Sequence, residues 1–279
     1  MLLLGAVAYD PKVVPIWEGI CAWLQAHGVD VEPVWFFRYE TLVQALVSGG
    51  VDVAWHSPLA VVQTERALHR RGRTLRLLAM RDTDQDLTSV IVARRGGPSS
   101  LDTLRGRRIA VGAWDSPQAT LLPLNHLQAN GVRPGKDVDV RTYDLLVGKH
   151  GDHVGGERLA ARALRDGDVD AAALFDGNLL AFRADGSLPD DAEVIARTGM
   201  YDHCAFAALT GHREAELDAW TRVLLTMRWE DPVVRVLFDL EGLREWRPGR
   251  THGIEPLRHA VATLDHEAAD RVRRFADTL

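Results

Sequence analysis

YETLVQALVSGGVDVAWHSP, residues 39–58, sets out the building unit of the whole chain. Tyr39 to Ser48 reads as a helix that the Gly49-Gly50 pair stops, because glycine adopts the left-handed backbone that ends helices at little cost. Val51 to Trp55 is a short apolar run, the signature of a strand buried on both faces. It opens onto His56-Ser57-Pro58, where a serine can cap a new helix and a proline is tolerated in the first turn, so the next helix is expected from Leu59. The order helix, strand, capped helix is the repeating unit of parallel-sheet α/β architecture.

The same alternation runs outward in both directions without low-complexity segments. Leu2 to Ala8 is strand-like, and Val14 to His27 has helical apolar spacing through Ile16, Ile20, Trp23 and Leu24, stopped by Gly28. Val31 to Phe36, Leu75 to Met80 and Ser89 to Ala93 are expected strands. The loop RRGGPSSLDTLRGRR, with its Gly, Pro and Ser, marks a candidate crossing to a second α/β unit. That unit begins with a strand at Arg108 to Ala113 and continues with a helix Ala119 to Asn130, a strand Val138 to Tyr143, a helix Glu157 to Asp166 and a strand Val169 to Leu174. A return crossing is expected near Glu193 to Gly199, after which Ala205 to Leu209 rejoins the first lobe. Helices at Glu214 to Arg228, Asp231 to Glu241 and Leu257 to Leu279 complete the chain. The expected organisation is a discontinuous first lobe, 1–93 and 200–279, with 94–199 inserted as the second.

Composition sets the bounds on function. The chain has 279 residues, 46% hydrophobic and 26% charged, which is ordinary for a globular protein of one large or two modest domains. Its formal net charge of −6 and lack of a basic run argue against a nucleic-acid face. Three lysines only, Lys12, Lys136 and Lys149, stand among the 33 basic residues, so each is easy to weigh. The two cysteines, Cys21 and Cys204, form no C-x-x-C spacing and indicate no disulfide framework. The opening MLLLGAVAYD is too short to span a membrane and lacks a basic n-region and a cleavage site. Taken as given, the chain is expected to be cytoplasmic, or periplasmic or lipid-anchored if a leader has been removed; no transmembrane segment is expected. Dinucleotide, Walker, zincin and nucleophile-elbow motifs are absent from the sequence.

Tyr9 after the first strand, YETLVQALVSGGVDVAWHSP at 39–58, DSPQAT at 115–120, KHGDHVGGERLAARALRDGDVDAA at 149–172 and YDHCAFAAL at 201–209 together resemble the phosphonate, phosphite and phosphate family of ABC-transporter solute-binding proteins. ALRDGDVDAA in the second unit repeats the sense of ALVSGGVDVA in the first. The resemblance implies a two-lobed α/β fold of the type 2 periplasmic-binding-protein kind, with a ligand cleft between lobes where helix N-termini favour an anion. It also implies capture of a phosphonate-like or other small oxyanion, with contacts from Tyr9, Ser57, Ser116, Thr120 and His150, to which His56 and Lys149 are added as neighbours, and an ABC permease as partner if the protein is exported. His56 departs from the small or hydroxyl residue common before the serine.

The loop Gly148 to Glu157 carries Lys149, His150, Asp152, His153 and Glu157 among four glycines. His150 and His153 with Asp152 between them suit one iron or zinc ion, and His56 and His203 are expected at the same cleft. The plainer reading is a capped helix with solvated histidines. The metal reading supports an alternative function: a cytoplasmic enzyme on the same fold, with His150, His153, Asp152 and His203 as catalytic groups acting on a small organic acid or biosynthetic intermediate. The thiamine pyrimidine-precursor synthase and chorismate dehydratase resemble it in architecture, although the cysteine-rich iron motif of the former is missing. Lys149 is the one placed candidate for a pyridoxal phosphate Schiff base. Trp35, Trp55 and Trp114, at or beside strand ends, offer either an aromatic wall or core packing. The remaining histidines sit on expected helices and carry no role.

Overall fold

Two separate sheets, each covered by helices, account for the chain in the computed structural model, which describes residues 1–151 and 155–278. The first unit takes residues 1–85, 202–254 and 276–279, and the second takes 86–201 and 255–275.

In the first unit the chain runs β1 (Leu2–Val7), α1 (Val13–Ala26), β2 (Val31–Phe36), α2 (Tyr39–Ser48), β3 (Val53–His56), α3 (Pro58–His69) and β4 (Leu75–Arg81). β1 is parallel to β2 on one side and to β3 on the other, as right-handed strand–helix–strand units require. α2 ends at Gly49, whose φ of 79° is the left-handed cap expected of a glycine there. The first sheet is completed later in the chain by β10 (Ala205–Leu209) and β11 (Trp246–Pro248), in the order β11-β4-β10-β3-β1-β2. Its core gathers Ile16, Trp17, Ile20 and Leu24 of α1 with strand residues Leu4, Val53 and Phe206. Each such side chain contributes roughly 1.5–3 kcal/mol by leaving water.

The second unit runs β5 (Ser89–Arg94), β6 (Arg108–Val111), α4 (Leu122–Ala129), β7 (Asp139–Thr142), α5 (Gly155–Asp166), β8 (Ala171–Phe175), α6 (Leu179–Ala184) and β9 (Ala192–Arg197). Its sheet order is β7-β6-β8-β5-β9, with β6 parallel to β7 and β8 and β5 antiparallel to β8 and β9. The chain then supplies β10 (Ala205–Leu209), α7 (Glu214–Leu224), α8 (Pro232–Glu241) and β11 (Trp246–Pro248) to the first unit. It ends with α9 (Glu255–Thr263) and α10 (Glu267–Thr278).

Several expectations differ from this arrangement. Ser89 to Ala93, read with the first lobe, is β5, and it pairs with β8 and β9 in the second sheet. An apolar strand reads the same whichever sheet it joins. The segment near Glu193 to Gly199, read as a crossing, holds edge strand β9, whose partial exposure hides its pairing from the sequence. The chain changes unit instead at residues 85–86 and 201–202. The single C-terminal helix from Leu257 is two helices, and 255–275 groups with the second unit, where Gln128 Oε1 accepts from the Asp265 backbone between the two helices. Helix Ala119 to Asn130 begins as a π-helical turn over Pro117–Leu121.

Candidate functional site

Each unit carries a strand that leads to a Ser-Pro pair and a capped helix. In the first, β3 runs into Ser57, whose hydroxyl accepts from the Ala60 amide at 3.1 Å while Pro58 occupies the first helical position of α3. In the second, β6 leads through Gly112 to Ser116, whose hydroxyl accepts from the Ala119 amide at 3.2 Å with Pro117 next in line. Both serines are buried. The second start is the wider of the two: Leu121 N–H reaches back to Ser116 carbonyl at 3.0 Å, an i to i+5 bond. Single π-turns of this kind are frequent at functional sites.

The surroundings of Ser116 are built for close backbone approach. A Cβ at Gly151, where φ is +71°, would stand 2.2 Å from Ser116 Oγ, and one at Gly156 would stand 2.1 Å from the Tyr143 carbonyl. Gln118 Nε2 donates to the Gly151 carbonyl at 2.8 Å, and Asp115 accepts from the Gly148 amide at 2.5 Å. These bonds tie the loop that begins at Gly148 to the Ser116 turn. Thr120, fully buried, donates its hydroxyl proton to the Ala113 carbonyl at 2.8 Å. Glu157, in the first turn of α5, accepts from the Phe175 amide at 2.6 Å and from Asn178 at 3.0 Å, so this loop acid is a structural acceptor. The cavity left among Gly112, Ala113, Ser116, Ala119, Gly151, Gly156 and Glu157 measures ≈ 10 Å³, about one water.

His150 is fully buried with a left-handed φ of 52°, and Lys149 is half-buried. Asp152 and His153, the other two candidates of this loop, lie outside the described residues.

His56 does not act as a charged donor. Thr64 gives its hydroxyl proton to the Ala60 carbonyl at 2.8 Å, so the 3.0 Å contact between Thr64 Oγ1 and His56 Nε2 needs the proton on Nε2. Burial pushes the imidazole down to about 3, and the ring is neutral. Among the described residues His56 joins no group of three metal-ligating side chains. His203 is brought to its neighbour Cys204 and to Asp84, a residue that carries no role in the sequence analysis. Asp84 also pairs with Arg81 through two bonds, Nε to Oδ2 at 2.5 Å and Nη2 to Oδ1 at 2.9 Å. Arg81 turns a further bond to Glu241 at 3.1 Å. The only sequence signal for this buried network is a run of charges, RDTD, directly after an apolar strand.

Tyr9 follows β1, half-buried against the first core. Of the tryptophans, Trp55 is core: its ring lies 5.3 Å from Trp17, 4.7 Å from Phe206 and 5.8 Å from Trp246, with the Arg81 guanidinium over one face. Trp35 packs against the same core, and Trp114 lies beneath Arg271 in the second unit. The aromatic-wall expectation thus fails for Trp55, because β3 is central in its sheet and both of its faces are covered.

The sequence matches, over residues 7–252, the family described as the ABC transporter, phosphonate, periplasmic substrate-binding protein. No curated protein matches it. Among solved structures, PhnD1 from Prochlorococcus marinus in complex with methylphosphonate is similar at TM-score 0.64 and 17% identity, over 94% of this chain and 97% of that one. A Xanthomonas citri protein bound to ATP is similar at TM-score 0.71 and 20% identity, over 98% of each chain. A binding-protein component of an ABC phosphonate transporter from Pseudomonas aeruginosa follows at TM-score 0.63 and 14% identity, over 100% of this chain and 95% of that one. At these identities the likeness establishes a shared fold, that of type 2 periplasmic binding proteins.

Proposed function

The chain belongs to the phosphonate family of ABC-transporter periplasmic substrate-binding proteins, and we propose that it binds a small phosphonate-like oxyanion through its Ser-Pro helix starts. The observation that carries this reading is the repetition itself. Ser57 and Ser116 each precede a proline at the start of a helix that follows a strand, and each is bonded to the amide three residues on. The first N–H groups of a helix have no partner within it, and the helix dipole adds partial positive charge, so an anion there is held without a lysine or arginine. Tyr9, Lys149 and His150 remain the side chains proposed to complete the contacts, with His56 reduced to a neutral support behind Ser57 and Thr120, its proton given to the Ala113 carbonyl, to a brace of the Ser116 turn.

Delivery of the ligand to an ABC permease, and residence outside the cytoplasmic membrane, follow from the family and form part of the same proposal. Among the described residues no helix is long and apolar enough to cross a membrane. The methylphosphonate complex of the Prochlorococcus protein nominates the first ligand to try. Calorimetric titration with methylphosphonate, phosphate and sulfate should show binding of at least one by the wild type and weaker binding by Ser57→Ala and by Ser116→Ala. Absence of binding, or affinity unchanged in both variants, would leave these serines as caps alone.

A further inference from the structure

A carboxylate, an imidazole and a thiol meet inside the first unit. Asp84 closes the short turn that follows β4, and His203 and Cys204 lead into β10, the antiparallel neighbour of β4. Pairing continues past the strand ends, for His203 N–H donates to the Asp84 carbonyl at 2.8 Å. The backbone therefore fixes the three residues against one another before any side-chain contact is counted. His203 Nδ1 lies 3.1 Å from Cys204 Sγ and 3.5 Å from Asp84 Oδ1. Asp84 and Cys204 are each 2% exposed.

We propose that Asp84, His203 and Cys204 form a binding site for a thiolate-preferring divalent cation of the zinc class. Two observations carry it. The first is the donor set: sulfur, imidazole nitrogen and carboxylate oxygen together favour borderline ions, whereas calcium and magnesium select oxygen alone. The second is spacing. Ligand bonds of about 2.0–2.3 Å at tetrahedral angles put donor atoms roughly 3.3–3.7 Å apart, and the observed separations of 3.1 and 3.5 Å need only a small adjustment to admit the ion.

The Arg81 cation beside Asp84 is compatible with a metal. A carboxylate offers about four lone-pair sites, so Oδ1 can take Arg81 Nη2 and keep a lone pair for an ion. Arg81 is also met by a second carboxylate, Glu241. It thus serves to orient Asp84, in the way hydrogen-bonded neighbours commonly fix metal ligands. Three protein donors leave a tetrahedral ion one position for water or a small anion. The thiol loses its proton on binding, so uptake of one cation releases one proton from Cys204.

The test uses Co²⁺ as a coloured stand-in for zinc on the full-length protein stripped of metal. One equivalent per chain should produce sulfur-to-cobalt charge-transfer absorption together with the visible bands of tetrahedral cobalt, and Zn²⁺ should bleach both. Cys204→Ser should abolish the charge-transfer band, and His203→Ala should weaken Co²⁺ binding more than about tenfold, beyond the lower end of what outer-shell changes cost. Cys21→Ser should alter neither, since that thiol is buried in α1, where its surroundings push it up to about 12. His203 is the more exposed ligand, so His203→Ala decides the matter if Cys204→Ser fails to fold. A wild type without the band, a band surviving in Cys204→Ser or lost in Cys21→Ser, or unchanged affinity in His203→Ala would overturn the proposal. None of these readouts depends on oxyanion binding.

Discussion

His56 Nε2 stands 3.0 Å from Thr64 Oγ1, eight residues along the chain and about two turns into α3. Because the threonine proton is committed to Ala60, the histidine is held as its Nε2–H tautomer, uncharged, directly before the serine that caps the helix. Replacing Thr64 by valine keeps the shape and removes the acceptor, leaving a buried donor unsatisfied. Urea unfolding should show Thr64→Val less stable by about 1–3 kcal/mol. An unchanged midpoint would mean the contact carries no weight.

The same histidine gives a pH dependence with a definite sign. Its folded pKa is depressed by burial from 6.5 to about 3, so the unfolded chain binds a proton in that interval that the folded one refuses. The stabilisation is complete above about pH 6.5 and is lost progressively as pH falls toward 3. Stability measured by urea between those limits should fall more steeply in the wild type than in His56→Gln. Parallel curves would assign the slope to other groups.

Asp84 titrates lower still. Burial alone would raise its carboxyl, but the Arg81 charge and hydrogen bonds from His203 and Arg81 outweigh that and hold it at about 2. Its contribution is therefore present above the ordinary value of 3.8 and is lost as pH drops through 2. Since Arg81 is buried with it, Asp84→Ala at neutral pH should cost about 3–5 kcal/mol, read by chemical denaturation, because it removes one partner of a buried pair. A loss below 1 kcal/mol, the range of exposed pairs, would count against the network.

The two caps should be separable in their effects. Ser57→Ala and Ser116→Ala each remove one bond to an otherwise unpaired amide and should each lower stability by about 0.5–2 kcal/mol. Differential unfolding of the two variants, compared with the double variant, should give nearly additive losses, since the serines cap different helices.

At Gly151 both space and backbone forbid a side chain. Gly151→Ala would place its Cβ 2.2 Å from Ser116 Oγ on a backbone with φ of +71°. The strain of the left-handed conformation alone costs about 1–2 kcal/mol, so thermal unfolding should drop measurably. Methylphosphonate affinity should fall with it if Ser116 serves the ligand. A variant with wild-type stability would show that the loop yields.

The sequence by itself determined the alternation of strand and helix, the two Ser-Pro helix starts and the family, because these are properties of neighbours in the chain: apolar period, a capping hydroxyl, a proline in the first turn, a glycine at a helix end. Residues 39–58 held all of them at once. Only the tertiary structure decided which sheet received Ser89–Arg94 and Ala192–Arg197, since hydrogen bonding between strands far apart in sequence leaves no local mark. It also decided what each histidine does. His56 and His203 look alike as letters beside a strand, yet one is sealed behind Thr64 and neutral, while the other is aligned with Asp84 and Cys204 by the pairing of β4 with β10. An imidazole's charge and partners are set by burial and by whichever groups the fold brings within a few ångströms, and those groups lie up to 119 residues away in the chain, as Asp84 does from His203.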